Sequence, residues 1–269
     1  MEVAVNRVAV ISTVIMGVGF AHGALAADLP VRAAPVYQAP VVVAPTWTGL
    51  YVGANGGWGW ASNFNASSTF TDPTGGGVAI SPAASNLNAT GAVFGGQLGY
   101  NWQTGSWVWG VEGDFDGSNI NKLNNVGETV LAGGGGPAGT TASFYANVNW
   151  LATIRGRLGY AWGPGMIYVT GGGAWASVDF NAGGPANDFV FSSTSTKSGW
   201  TIGAGYEWLI NPNWSVRAEY LYYKFTSGTS GTVNAGGVAP AGTFTTHTFG
   251  NFDVNVVRLG LNYKLDWWR

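Results

Sequence analysis

Apolar and polar residues alternate with a period of two near the end of the chain. Between Val254 and Leu265 the apolar positions are Val257, Leu259, Leu261, Tyr263 and Leu265, and the polar positions are Arg258, Gly260, Asn262 and Lys264. This alternation is typical of a β-strand with one apolar and one polar face. It predicts a strand over these residues.

Seven earlier segments alternate in the same way, and their apolar faces are rich in aromatic residues. The predicted strands are Trp47 to Trp60, Phe94 to Trp102, Trp107 to Phe115, Val148 to Tyr160, Ile167 to Trp175, Trp200 to Trp208 and Trp214 to Tyr223. In the fourth strand we expect Val148 and Trp150 on the apolar outer face, and Asn147 and Asn149 on the inner face. Leu151 is the exception, because its position places an apolar side chain among the polar ones.

The connections between these strands alternate between long and short. The long connections lie at about 62–90, 117–142, 181–196 and 226–250, and the short ones lie near 103–106, 162–165 and 211–213. Antiparallel strands joined in this order place all the long loops at one end and all the short turns at the other. With tryptophan at so many outward positions, the pattern predicts an eight-stranded antiparallel transmembrane up-and-down β-barrel, with short periplasmic turns and long extracellular loops.

Composition agrees with a barrel wall that faces lipid. The 269 residues are 9% charged and 46% hydrophobic, with 44 glycines and 14 tryptophans, yet the predicted mature part has no apolar run of about 18 residues that could cross a bilayer as a helix. The net charge of −2 gives no indication of nucleic-acid binding. Because the chain has no cysteine, disulfides and cysteine chemistry are excluded.

The N-terminal residues predict export from the cytoplasm. Residues 1–26 resemble a secretory signal peptide, with Arg7 before an apolar stretch and Ala24-Leu25-Ala26 at the cleavage position. Residues 27–46 carry a proline at every fifth position, which favours an extended periplasmic lead-in. We expect the barrel to occupy residues 47–269.

The polar faces of the strands carry most of the charged residues of the predicted wall. They are Glu112, Asp114, Arg155, Arg157, Glu207, Arg217, Glu219, Arg258 and Lys264. The interior of an eight-stranded barrel is just wide enough to be filled by side chains, and buried charges need partners. We therefore expect a paired polar network in a largely closed lumen, while a narrow pore for small solutes stays open as the alternative.

Candidates for catalysis and cofactor binding are few. Glu112 and Asp114 lie two residues apart on the inner face, but a filled lumen gives substrate no access to them. His247, near Asp253 in the last loop, is the one histidine of the predicted mature chain, and no metal-binding spacing surrounds it. We expect no enzyme activity and no cofactor; an outer-membrane enzyme or a haem-binding surface protein is a remote alternative.

Several motifs resemble those of one family of small barrels. They are Ala24-Leu25-Ala26-Ala27-Asp28-Leu29-Pro30, Trp47-Thr48-Gly49-Leu50-Tyr51-Val52-Gly53, Gly95-Gly96-Gln97-Leu98-Gly99-Tyr100-Asn101, Arg155-Gly156-Arg157-Leu158-Gly159-Tyr160 and Val257-Arg258-Leu259-Gly260-Leu261-Asn262-Tyr263. The chain resembles the outer-membrane immunogenic protein family of OmpA-like, porin-family barrels over essentially its whole length. The resemblance implies a surface-exposed protein of the outer membrane of a Gram-negative bacterium.

The resemblance also implies partners. The outer-membrane assembly machinery reads a signal in the last strand of such barrels, which Arg258, Gly260, Tyr263 and Leu265 match here, although four further residues follow. We expect no peptidoglycan-binding domain after Leu265, because only these four residues follow it. Outer-membrane lipid and lipopolysaccharide are expected around the wall, and an extracellular ligand could bind the loops. The predicted function is that of a structural and surface-interaction barrel.

Overall fold

Eight long β-strands close into one barrel in the computed structural model, which describes residues 46–62, 66–71, 88–127, 141–183, 190–226, 228–234 and 244–265. The barrel strands are β1 (Gly49–Ser62), β3 (Thr90–Thr104), β4 (Trp107–Gly127), β5 (Thr141–Trp162), β6 (Gly165–Gly183), β7 (Val190–Leu209), β8 (Trp214–Phe225) and β11 (Phe252–Leu265). Three short strands are β2 (Ala66–Thr71), β9 (Thr229–Asn234) and β10 (Phe244–Phe249). No helix in these ranges is long and apolar enough to cross a membrane.

Each barrel strand pairs antiparallel with the next barrel strand along the chain, and β11 returns to pair with β1. The closing pair aligns Leu50 with Leu265 and Trp58 with Val257. Closure leaves every strand of the wall with two neighbours, as a sheet in lipid requires, because lipid offers no hydrogen bonds to an open edge. The predicted eight-stranded up-and-down barrel is confirmed. The predicted signal peptide, and the Pro-rich lead-in up to residue 45, lie outside the described residues and stay predictions.

The predicted outward faces are exposed on the outside of the barrel. Ile154 and Leu259 are each 66% exposed, and Trp58 is 56% exposed, which are high values for large apolar side chains. Exposed apolar surface on this scale is stable only against lipid or a protein partner. The inner faces carry the buried side chains, so the alternation of the sequence matches the wall of the barrel.

Glycine and asparagine form the short turns that connect strands at one end of the barrel. Gly105 and Gly163 have φ values of 61° and 56°, a left-handed conformation that glycine adopts without steric cost. At the third turn, the Oδ1 atom of Asn211 accepts hydrogen bonds from the backbone nitrogens of Asn213 (2.9 Å) and Trp214 (2.8 Å). These turns agree with the short connections predicted from the sequence.

The long connections are shorter than the sequence suggested, because four strands continue beyond the lipid-facing band. Strand β4 runs to Gly127, β5 starts at Thr141, β6 runs to Gly183 and β7 starts at Val190. A membrane strand needs only about 9–11 residues, whereas β5 has 22. The described outer positions of these extensions, such as Asn147, Asp179 and Thr194, are polar because they stand above the lipid. This polar composition is why the extensions were predicted as loops.

A β-bulge at Asn149 reverses the predicted faces of the upper part of β5. On β6, Val178 pairs with Val148 and Ser177 pairs with Trp150, so Asn149 has no partner there. The extra residue shifts the alternation by one position. The prediction for Asn147, Val148 and Asn149 was therefore wrong: Val148 is buried inside, and both asparagines contribute to the outer polar surface. Leu151, the apparent exception, is fully buried in the interior.

Two of the predicted loops contain short strands. Strand β10 lies between β2 and β9 in a three-stranded antiparallel sheet that is separate from the barrel sheet. His247 belongs to β10, where it is aligned with Ser68 and Gly231. The sheet brings the first and the last long connection together at the extracellular end.

Candidate functional site

A layer of charged side chains fills the middle of the barrel lumen. Three of the acids lie on β4 at spacings of two residues, which places them on the same inner face. The layer consists of Glu112, Asp114 and Asp116 from β4, Arg155 and Arg157 from β5, Glu207 from β7, Arg217 and Glu219 from β8, and Arg258 from β11. All nine residues are buried.

Arg155 binds three of the carboxylates. Its Nη2 atom lies 2.5 Å from Oε1 of Glu112 and 2.8 Å from Oδ2 of Asp114. Its Nη1 atom lies 3.1 Å from Oε1 of Glu219, and its Nε atom donates to the Thr153 hydroxyl at 3.0 Å. Three nitrogens of one guanidinium thus link strands β4, β5 and β8 across the lumen.

Arg258 makes an equivalent set of contacts from the opposite wall. Its Nε donates to Oε2 of Glu219 at 2.8 Å, Nη1 lies 2.6 Å from Oδ2 of Asp116, and Nη2 lies 3.2 Å from Oδ2 of Asp114. Asp114 therefore accepts from Arg155 and Arg258 through the same oxygen. These shared contacts join β4 to β11 through the centre of the barrel.

The periplasmic side of the layer combines charge with aromatic contacts. Arg157 forms an ion pair with Glu207, and its guanidinium lies 3.7 Å from the ring centroid of Tyr168. The Tyr51 hydroxyl donates to Oε2 of Glu112 at 2.6 Å, and Nη1 of Arg217 lies 2.5 Å from the same oxygen. This part of the network connects β1 with β4, β5, β7 and β8.

Eight of the nine lumen residues predicted from the sequence lie together in this layer. Lys264 lies at the periplasmic rim instead, where its Nζ atom donates to the backbone oxygen of Thr46 at 2.6 Å. Asp116 is a layer residue that the sequence analysis missed, although it follows Asp114 at the same two-residue spacing. The predicted strand ended at Phe115, one residue too early to include it.

Apolar side chains close the lumen above the charged layer. The rings of Phe180 and Phe249 lie 4.5 Å apart between centroids, and those of Phe225 and Phe252 lie 4.9 Å apart. Phe249 comes from the end of β10, so the last long connection supplies part of this cover. We call the group the upper apolar cap; its other buried members include Val93, Ile120, Val148, Leu151, Val178, Leu221, Val254 and Val256.

A second apolar group covers the charged layer on the periplasmic side. Trp47 is buried there with Val108, Met166 and Leu209, and we call the group the lower apolar cap. The backbone nitrogen of Trp47 donates to Oε1 of Gln103 at 2.8 Å, which holds the tryptophan in the mouth of the barrel. A small pocket remains beside it, and Glu207 is the acid among its lining residues.

The residues predicted to form an assembly signal lie on both faces of β11. Arg258 points into the charged layer, whereas Tyr263 is 37% exposed on the outer wall, with its ring 5.0 Å from that of Trp214. A Cβ atom added at Gly260 would lie 2.9 Å from the Nε atom of Arg217, so a side chain there would disturb the layer. Leu265 pairs with Leu50 at the end of the closing strand pair.

Within the described ranges, no three His, Cys, Asp or Glu side chains lie close enough together to hold a metal ion.

The sequence also matches a family model for the outer membrane protein β-barrel domain over residues 24–264, which is nearly the whole chain. The chain belongs to this family. A 31 kDa outer-membrane immunogenic protein of Brucella melitensis is 36% identical over 249 residues, covering 91% of this chain and 95% of that protein. A 22 kDa outer membrane protein of Rhizobium leguminosarum is 29% identical over 233 residues, covering 84% of this chain and 82% of that protein.

Among solved structures, the outer membrane protein OprG of Pseudomonas aeruginosa aligns with a TM-score of 0.46 and 14% identity, covering 81% of this chain and 97% of OprG. Family membership and the observed barrel place this protein in the outer membrane of a Gram-negative bacterium. The short turns face the periplasm and the long connections face the exterior, as in other barrels of this kind.

Proposed function

We propose that this outer-membrane barrel is a structural and surface-interaction protein whose lumen does not conduct solutes. One observation carries the proposal: the charged layer is buried and is covered by the upper and lower apolar caps. A solute passing through would have to displace side chains from both caps as well as from the layer.

The pairing of the charges supports a static network. Arg155, Arg217 and Arg258 together contact Glu112, Asp114, Asp116 and Glu219 at 2.5–3.9 Å. A buried charge that loses its partner costs several kcal/mol, because the low-dielectric interior does not replace the lost hydration. Opening a continuous water path would break several such pairs at once.

The same arrangement argues against a catalytic role for the lumen carboxylates. Glu112 and Asp114 are 3% and 6% exposed, and both bind Arg155. A general acid or base must come within hydrogen-bonding distance of its substrate, and the caps stand between these groups and either side of the membrane. We therefore assign no enzymatic step to this protein.

In this proposal, the extracellular connections make the contacts with molecules outside the cell. They all lie at one end of the barrel, and β2, β9 and β10 form a sheet within two of them. The name of the related Brucella protein, an outer-membrane immunogenic protein, fits a barrel whose external parts are reached by antibodies. Contacts with an external ligand would be made by these parts.

Planar-bilayer conductance tests the closed lumen. We expect the refolded mature protein to insert without producing stable unitary current steps, because its caps and charged layer exclude a water column. A general porin, added to the same bilayer afterwards, is the positive control. Reproducible steps of the size of an open aqueous pore would refute the proposal and favour a narrow porin.

A further inference from the structure

The outer wall carries a polar surface immediately above its lipid-facing aromatic residues. The surface spans β4 to β7, and we call it the wall patch. Its members are Asn121, Tyr145, Asn147, Asn149, Asp179, Asn181, Ser192, Thr194 and Thr196. It contains amides, hydroxyls, one phenol ring and one carboxylate, and it includes no lysine or arginine.

The strand register places four of these side chains in one row. Asn121 pairs with Asn147, Asn147 pairs with Asp179, and Asp179 pairs with Thr194. Neighbouring strands are about 4.8 Å apart, so the row is roughly 15 Å wide. This width matches two to three sugar rings laid side by side.

Hydrogen bonds within the wall patch hold its side chains in place. The Thr194 hydroxyl donates to Oδ1 of Asp179 at 2.7 Å, and Nδ2 of Asn149 donates to Oδ2 of the same carboxylate at 2.7 Å. Nδ2 of Asn147 donates to Oδ1 of Asn149 at 2.5 Å. Side chains that are already ordered lose less entropy when a ligand binds them.

The bulge is what brings Asn149 to this surface. Without it, the period of two would place Asn147 and Asn149 in the lumen and Val148 on the outer wall. The bulge reverses the faces, and Asn149 then reaches Asp179 on the neighbouring strand. Bulges often redirect side chains at barrel rims, and here the redirected Asn149 side chain donates a hydrogen bond to Asp179, a member of the row.

The height of the wall patch above the membrane interface determines which molecules it can contact. Trp150, Trp175 and Trp200 lie just below it on the outer wall, and tryptophan favours the membrane interface. Asp179 is four residues beyond Trp175 on β6, which is about 10 Å above the interface for a tilted strand. The patch faces sideways, so its neighbours in the membrane plane are the sugars of outer-leaflet lipopolysaccharide.

The chemistry of the patch selects sugars over phosphates. Amide and hydroxyl groups exchange hydrogen bonds with sugar hydroxyls, and the ring of Tyr145 offers a face for the C–H side of a sugar. Asp179 would repel a phosphate, and no cation of the patch would offset that repulsion. We propose that the wall patch binds the neutral sugars of a neighbouring lipopolysaccharide molecule, a contact additional to those of the extracellular connections.

Calorimetric titration of the refolded, full-length mature barrel tests this proposal. The probe is lipopolysaccharide core oligosaccharide that has been deacylated and dephosphorylated. The test variant carries Asn149→Ala with Thr194→Ala. The matched control carries Asn255→Ala with Ser62→Ala, which also removes one amide and one hydroxyl but on β11 and β1, away from the wall patch. We expect saturable binding to the wild type and the control, and about tenfold weaker binding to the test variant, since two hydrogen-bonding groups are lost.

Three results would overturn the proposal. The first is no saturable binding to the wild type, and the second is equal affinities of the test variant and the wild type. The third comes from a parallel titration with phosphorylated lipid A: binding confined to that probe and lost at high salt, as an electrostatic contact would be. Both variants must first show the heat-dependent gel shift of a folded barrel. Since the bilayer conductance does not depend on this surface, the closed lumen and the sugar contact can fail independently.

Discussion

At the scale of single residues, Arg155 shows how the interior tolerates so many charges. Its guanidinium reaches Glu112, Asp114 and Glu219, and its side chain is inaccessible to solvent. A buried charge of this kind contributes little net stability compared with an apolar core, but removal of one partner is costly. The layer is therefore most sensitive to substitutions that change charge without changing volume.

Arg155→Met should destabilise the barrel by about 3–5 kcal/mol, because three carboxylates lose a shared cation while the volume is nearly kept. Urea unfolding of the refolded protein in detergent micelles measures the change.

Lys264→Met is the matched control, since it also replaces a cation by methionine, but at the half-exposed rim. It should cost less than about 1 kcal/mol. Equal losses in the two variants would contradict a charged layer whose members depend on each other.

The sequence predicted which residues face the lumen better than it predicted their partners. Alternation alone places Arg155, Arg217 and Arg258 inside the barrel, because the side chains of a strand point in turn to its two faces. Their partners depend on which strands face each other across the barrel. Arg258 on β11 contacts Asp116 on β4, and no local sequence pattern encodes a contact between residues so far apart along the chain.

At the scale of strands, the bulge in β5 is the feature that the sequence analysis missed. Alternation predicted the strand itself, together with the outward positions of Ile154 and Leu158. It failed above Trp150, because one extra residue exchanges the two faces and leaves the local composition unchanged. The true ends of the extended strands were also not predicted, because the described outer positions beyond the lipid, such as Asn147 and Asp179, are polar and lack the alternation with apolar residues that marks the lipid-facing wall.

Single cysteines test the bulge directly, since the native chain has none. On intact cells, a membrane-impermeant maleimide should label Asn147→Cys, which faces outward, and should leave Val148→Cys unlabelled, because Val148 is buried in the upper apolar cap.

Ser106→Cys, at a periplasmic turn, is the topology control and should be labelled only after the cells are opened. If Val148→Cys were labelled and Asn147→Cys were not, the alternation would be uninterrupted and the bulge would be refuted.

At the scale of the whole molecule, the aromatic residues mark two levels on the outer wall. On β7, Trp200 lies near the outer level, and Trp208 lies near the periplasmic one, eight residues away. A tilted strand segment of this length rises about 20 Å along the membrane normal, which is close to the height of the apolar band of barrels in the outer membrane. Tyr206 and Tyr263 belong to the periplasmic level, with exposures of 38% and 37%.

These two tyrosines allow a test of the proposed assembly signal. If the assembly machinery reads Tyr263 in the last strand, Tyr263→Ala should reduce the amount of protein in the outer membrane several-fold. Tyr206→Ala, which removes an equally exposed ring at the same level, should reduce it much less. Quantitative immunoblotting of outer-membrane fractions gives the amounts, and equal reductions would show that Tyr263 acts only as an interfacial aromatic.

The pairing of β1 with β11 has a consequence for the time course of folding. Leu50 and Leu265 are neighbours in the wall although 215 positions separate them along the chain. Contacts between such distant residues form slowly, because a long loop must close before they stabilise anything. Until the last strand arrives, every partly folded form has two unpaired edges, which favour aggregation. The chain therefore needs protection from its own sheet edges throughout its passage across the periplasm, and this need ends only when the barrel closes.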